Sequence, residues 1–422
     1  MLLTMNIQRV LNNKNFRNGA LFALFSFFNT GVNFVIMMVM ARFIKPDSYG
    51  QLSLFTTMVF LLSILICLNT NGFIGTNFFT SSKEKIQRLL NVVLLTTLFV
   101  YIVILTLISA CTSAFEQISG LTVTFQFYAI SYCLLNVINS LLLDIWRLEE
   151  KVLRYGTFSV LSVISNLALT ILFVGFLKWD WHGRVYAQLL TCVCFSIIAI
   201  YILIKKEYFR KVFPHKEDFL EAYKFGIPLI PHGTSFWLRQ GLDRYIINAF
   251  ITQTMVGLFS FAVNFANIIQ MVGMAFNSSN SVYIYKTLAD LDIEKLCKLK
   301  KDCLLLVLFY VSLAMSVFIG AYLFVPFIFP KYEGSIKYIF PLCIGSMFQC
   351  FYLVYVNIIF FYRKTTQLMY ITFFLSLLHS ILSFALTRYG VIYTAYISAV
   401  INMLIAACIY LYSQKLLKCV NL

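Results

Sequence analysis

Charge is scarce in this 422-residue chain, at 12% of residues, and acidic charge is the scarcest, with 17 Asp and Glu against 33 Lys and Arg. There are only four His and seven Pro. The eleven Cys include no CxxC pair, and Cys192 and Cys194, two apart, point to different faces of one helix, so no metal site is expected. Cys111 alone sits near an expected outer surface, without an evident partner, so no disulfide is expected either. No nucleophile–base pair and no phosphate-binding glycine loop is present, which argues against an enzyme and against a bound cofactor. The chain is instead rich in apolar residues, with 60% hydrophobic and 17% aromatic side chains and a mean hydropathy of +0.84. A soluble core cannot absorb that much apolar surface, so its solvent must be lipid.

Apolar runs of about 20 residues, the length that spans a hydrocarbon core, recur twelve times: 18–41, 52–70, 89–110, 121–143, 156–177, 185–204, 226–250, 256–284, 303–325, 337–361, 368–387 and 391–412. The polar, basic opening segment precedes a run too long for a signal peptide, so the first helix is expected to stay. The formal charge of +16 raises nucleic acid as a partner, but placement argues otherwise. With the N-terminus inside, 24 of the 33 basic residues fall in inner segments and 7 in outer loops, leaving Arg239 and Arg244 within a span. The positive-inside rule thus predicts an all-α, multi-pass membrane protein of twelve transmembrane helices with both termini cytoplasmic.

The twelve segments also carry a repeat. RFIKPDSYGQLS (42–53) laid on AFITQTMVGLFS (249–260) pairs Phe43 with Phe250, Gly50 with Gly257 and Ser53 with Ser260, at an offset of 207. The same offset pairs Gly183 with Gly390 and Tyr186 with Tyr393. Two parallel six-helix bundles, 1–204 and 226–422, related by a pseudo-twofold axis along the membrane normal and joined by a cytoplasmic linker at 205–225, would produce this pattern.

The seventh segment holds the unusual charges. Read as one continuous helix, PHGTSFWLRQGLDRYI (231–246) sets His232, Arg239 and Asp243 within about 40° of one another and Arg244 about 100° from Asp243. At i,i+4, Arg239 and Asp243 can pair. Two readings stay open: a structural ion pair with Arg244 snorkelling to the headgroups, or a water-filled, net-cationic cavity suited to anionic cargo. His232, behind Pro228 and Pro231, can cap freed carbonyls or titrate. Asn29 and Asn33 on the first helix, with Asn264 and Gln270 on the eighth, can bind sugar hydroxyls or tie helices together. Gln349, Asn357 and His379 are read as packing residues.

GIPLIPHGTSFWLRQGLDRYIINAF with the following VGLFSFA resembles the seventh and eighth helices of bacterial O-antigen flippases, the Wzx-like polysaccharide transporters of the multidrug/oligosaccharidyl-lipid/polysaccharide (MOP) exporter superfamily. ARFIKPDSYG, KYEGSIKYIFPL and FQCFYLVYVNIIFFYRKT extend the resemblance over nearly the whole chain. It implies a MATE-like fold and transport of an undecaprenyl-pyrophosphate-linked oligosaccharide, the O-antigen repeat unit, across the bacterial inner membrane. Arg239, Arg244, Asp243, His232, Asn29, Asn33, Asn264 and Gln270 are the expected substrate-binding residues. Asp243 is the candidate for coupling to H+ or Na+. Membrane lipids, an O-antigen polymerase and a chain-length regulator are the further partners implied. The competing expectations are a MATE-type drug or cation antiporter, which would favour a carboxylate-rich cavity, and a membrane O-antigen polymerase, which would need a longer outer loop than the roughly dozen residues available.

Overall fold

The computed structural model describes residues 14–210 and 212–418, and the described chain is helical with no strands. The first unit contains α1 (Lys14–Phe43), the last turns of α2 (Pro46–Leu65), α3 (Asn71–Asn77), α4 (Lys83–Ala110), α5 (Thr112–Ser119), α6 (Val123–Leu148), α7 (Val152–Thr170), α8 (Asp180–Lys205) and α9 (Lys216–Gly226). The second contains α10 (Ile230–Gln240), α11 (Leu242–Phe250), α12 (Gln253–Ala289), α13 (Ile293–Ile328), α14 (Ile336–Phe361), α15 (Thr365–Leu386) and α16 (Val391–Lys418). Residues 44–57, which include the first turns of α2, belong to this second unit.

Eleven helices of the described chain are long and apolar enough to cross a membrane. The remaining expected span, 226–250, is broken: a 3-10 turn at Ile227–Leu229 leads into α10, and Gly241 separates α10 from α11. With the broken segment counted, all twelve apolar runs are helical, in a multi-pass membrane protein.

In the first unit, the connection at 205–225 is fastened along α4. Arg88 Nε lies 3.0 Å from Asp218 Oδ2, Lys85 Nζ 3.0 Å from Glu221, and the Asn91 amide donates to the carbonyls of Arg210 and Val212 at 3.0 and 2.8 Å. Polar anchors of this density hold a chain segment that has few apolar residues to bury.

In the second unit, helices approach through small residues, as expected where lipid supplies no hydrophobic drive between helices and packing must do the work. Gly345 lies on the backbone of Ala399, and Gly273 lies on Cys350. The buried branched residues Val356, Ile359, Ile397, Ile401, Ile405 and Ile409 fill the contact of α14 with α16. The closest approach joins α2 to α12: a Cβ on Gly50 would overlap the Gln253 carbonyl, and one on Gly257 would overlap the Pro46 carbonyl. Residues 46 and 50 are the counterparts of 253 and 257 at the 207-residue offset, so the contact is reciprocal. Ser53 and Ser260, also counterparts, are both buried.

Candidate functional site

The break at Gly241 reorganises the charged segment. The Trp237 indole lies across Gly241, where any Cβ would meet its ring 2.7 Å away, and its Nε1 donates to the Thr57 carbonyl at 3.1 Å. The Arg244 N–H turns to the Gly241 carbonyl at 3.1 Å, and the Arg244 guanidinium takes the Gln240 carbonyl. A carbonyl at the break is thus satisfied from within the same segment, the condition under which irregular backbone persists at membrane depth.

The expected Arg239–Asp243 ion pair does not form. Arg239 sits in the last turn of α10 and Asp243 in the first turn of α11, each where the helix dipole favours its charge. Asp243 is buried and faces His379 of α15, whose Nε2 lies 3.1 Å from both carboxylate oxygens. His379 is equally buried, and Ser383 Oγ stands 3.4 Å from the same nitrogen. The reading of His379 as a packing residue is therefore corrected, because it is the acid's partner. Arg239 donates to Asn402 Oδ1 at 3.3 Å and lies over the Phe236 ring at 5.2 Å, while its Nε is buried without a partner. Arg244 donates from Nε to Ser260 Oγ at 3.1 Å. Among the described residues, neither guanidinium has a carboxylate within ion-pair distance.

The other expected residues divide. Asn264 donates to the Tyr49 hydroxyl at 2.6 Å, and that ring is held edge-on by Tyr332 and Phe261. Gln270 donates to Gln349 Oε1 at 2.8 Å and Ser346 Oγ at 3.2 Å. Asn357 donates to Asn277 at 2.7 Å. His232 is exposed, with its imidazole perpendicular to the Phe236 ring at 5.3 Å. Asn29 and Asn33 belong to α1, in the first unit; the Asn29 carbonyl oxygen is buried without a partner and Asn33 is exposed. The structure thus gathers Arg239, Asp243 and Arg244 with Ser260 and Asn402, and leaves His232 at the surface of the segment.

Sequence reasoning missed His379, Ser260 and Asn402. A signal for the first was present: Thr372, Ser376, His379, Ser383 and Thr387 follow one another at three- and four-residue spacing, and all five are buried. That is the spacing of one helix face.

This fold is shared with solved transporters. The chain superposes on a multidrug resistance MATE family transporter of the MOP superfamily in its inward-facing conformation with a TM-score of 0.77 at 17% identity, covering 93% of this chain and 96% of that one. For an outward-facing conformation of such a transporter the TM-score is 0.62 at 16% identity, covering 96% and 97%. A MOP superfamily transporter from Pyrococcus furiosus, described as having a binding pocket of reverse polarity, superposes at 0.62 with 17% identity over 94% of both chains. Among sequences, an uncharacterised membrane protein of Haemophilus influenzae is 26% identical over 350 residues, 80% of this chain and 81% of that protein. The putative protein 1 of the Lsg locus of the same organism is 22% identical over 410 residues, 96% and 99% of the two chains. The model of the polysaccharide biosynthesis protein family matches residues 16–282. A helical multi-pass chain with a transporter fold, matched over more than half its length by that model, belongs to the polysaccharide biosynthesis protein family.

Proposed function

We propose that this membrane transporter is a flippase that moves an undecaprenyl-pyrophosphate-linked oligosaccharide, an O-antigen repeat unit, from the inner to the outer leaflet of the bacterial cytoplasmic membrane by alternating access, with both termini cytoplasmic. One observation carries the reading: Arg239 and Arg244 rest on neutral oxygens, while the only acid of their segment is engaged by His379. A guanidinium in a membrane span costs about 2.5–3.5 kcal/mol on insertion scales and is retained where charge has a use. Two guanidiniums with no carboxylate at ion-pair distance among the described residues suit a pyrophosphate or an acidic sugar. The amides of Asn29, Asn33, Asn264 and Gln270 supply hydrogen-bonding groups for sugar hydroxyls, and His232 lies at the exposed start of the segment.

Ion coupling is assigned to the Asp243–His379 pair. Hard cations such as sodium are held by several oxygens, whereas a carboxylate facing an imidazole nitrogen is suited to carrying a proton. A drug or cation antiporter would present that carboxylate to its cargo; here its two oxygens are taken.

The test is complementation of a deletion strain. Arg239→Ala should abolish surface O-antigen at unchanged protein abundance, with lipid-linked oligosaccharide accumulating in the inner leaflet. Wild-type display by the variant, or drug sensitivity with normal display in the deletion strain, would overturn the assignment.

A further inference from the structure

Away from the charged segment, α13, α14 and α16 enclose a pocket of about 280 Å³ at the membrane face where α13 begins and α14 and α16 end. Its polar lining is Lys300, Tyr355, Tyr410 and Gln414. Among the described residues, none of these four side chains makes a hydrogen bond or ion pair. The two tyrosine rings meet edge to face at 4.9 Å, so each fixes the other against the pocket. The opposite lining is aliphatic, with Leu299 and Leu417 buried. Leu304 of the lining is 55% exposed, and Leu308, one turn along α13, and Leu411, next to Tyr410, are 55% and 66% exposed, an apolar surface suited to acyl chains. Lys298 and Lys301 flank Lys300 on α13, and Lys415 stands in the last turns of α16.

An ammonium, two phenols and an amide with no internal partner, set between an apolar wall and a basic rim, match a phosphodiester attached to acyl chains. We propose that this pocket seats the phosphate of an anionic glycerophospholipid from the leaflet at this face. A pocket of this volume has room for a phosphoglycerol head, and displacement by undecaprenyl pyrophosphate distinguishes the two lipid sources. Basic pockets between membrane helices bind anionic headgroups by the same physics, with about 1 kcal/mol for each lysine near the surface.

The full-length protein, reconstituted in vesicles of phosphatidylglycerol and phosphatidylcholine at a series of ratios and released for native mass spectrometry, reports the bound lipid directly. Wild type should retain one phosphatidylglycerol, and Lys300→Gln should need about fivefold more of it for half occupancy. Lys300→Gln with Tyr410→Phe should lose it, and Lys286→Gln, the same charge removed elsewhere, should match wild type. Millimolar inorganic pyrophosphate should leave the adduct in place. The proposal fails if Lys286→Gln weakens retention as much as Lys300→Gln, which indicates diffuse attraction. It fails equally if pyrophosphate or undecaprenyl pyrophosphate displaces the phospholipid. Lys300 is exposed, so its variant should elute and melt like wild type, and that control separates lost binding from lost folding.

Discussion

Both carboxylate oxygens of Asp243 stand 3.1 Å from Nε2 of His379, with the two side chains 136 residues apart in sequence and buried together. A buried polar contact is weak evidence for stability as a whole, yet removing one partner leaves the other buried and unsatisfied, at a cost of about 1–3 kcal/mol or more. His379→Ala should therefore lower the melting temperature sharply. Asp243→Asn combined with His379→Ala should recover most of that loss, because no charge remains to be stranded, while O-antigen display stays absent. Restored display in the double variant would show the pair to be structural glue rather than part of the transport cycle.

The reciprocal glycine contact makes a graded prediction. Gly50→Ala and Gly257→Ala each drive a methyl into a backbone carbonyl that cannot rotate away, so each should cost at least the 1–3 kcal/mol typical of overpacking and reduce folded yield. Gly320→Ala, with no neighbouring atom within 4 Å of the added carbon, should leave melting within experimental scatter. Thermal melting in detergent of the three variants side by side checks the order; equal behaviour of Gly50→Ala and Gly320→Ala would refute the close approach.

A pH dependence follows at the end of α6. Burial works to raise the Glu149 carboxyl, but the Lys151 ammonium at 2.7 Å, the Tyr208 hydroxyl at 2.9 Å and Lys206 at 3.6 Å outweigh it and hold the group below its ordinary 4.5. A depressed folded-state value means that the ionised form stabilises the fold above pH about 4.5, and that this contribution is lost as pH falls through the lower, folded value. The melting temperature of wild type should exceed that of Glu149→Gln at pH 7, and the gap should narrow below pH about 4.5. A gap that stays constant down to pH 3 would remove Glu149 from this role.

Much of the architecture is legible in the sequence. Apolar run length located all twelve segments because a hydrocarbon core imposes one length on every crossing. The 207-residue offset singled out Gly50 and Gly257, which are in contact, because two helix backbones can approach this closely only where no Cβ stands between them. The boundary of the units was less legible. Residues 44–57 join the second unit through the Tyr49–Asn264 hydrogen bond and the glycine contact, and hydropathy is blind to which neighbour a crossing helix chooses.

Sequence alone determined that this chain crosses a lipid phase, where its apolar segments lie, and that Arg239, Asp243 and Arg244 share one of them. Local spacing could not determine their partners. A continuous helix would have paired Arg239 with Asp243; the break at Gly241, set by Trp237 and the Thr57 carbonyl from α2, turned the acid to His379 and left the arginines to Asn402, Ser260 and the Gln240 carbonyl. Those contacts are settled by which distant helices pack together, a property of the assembled unit that no short stretch of residues encodes.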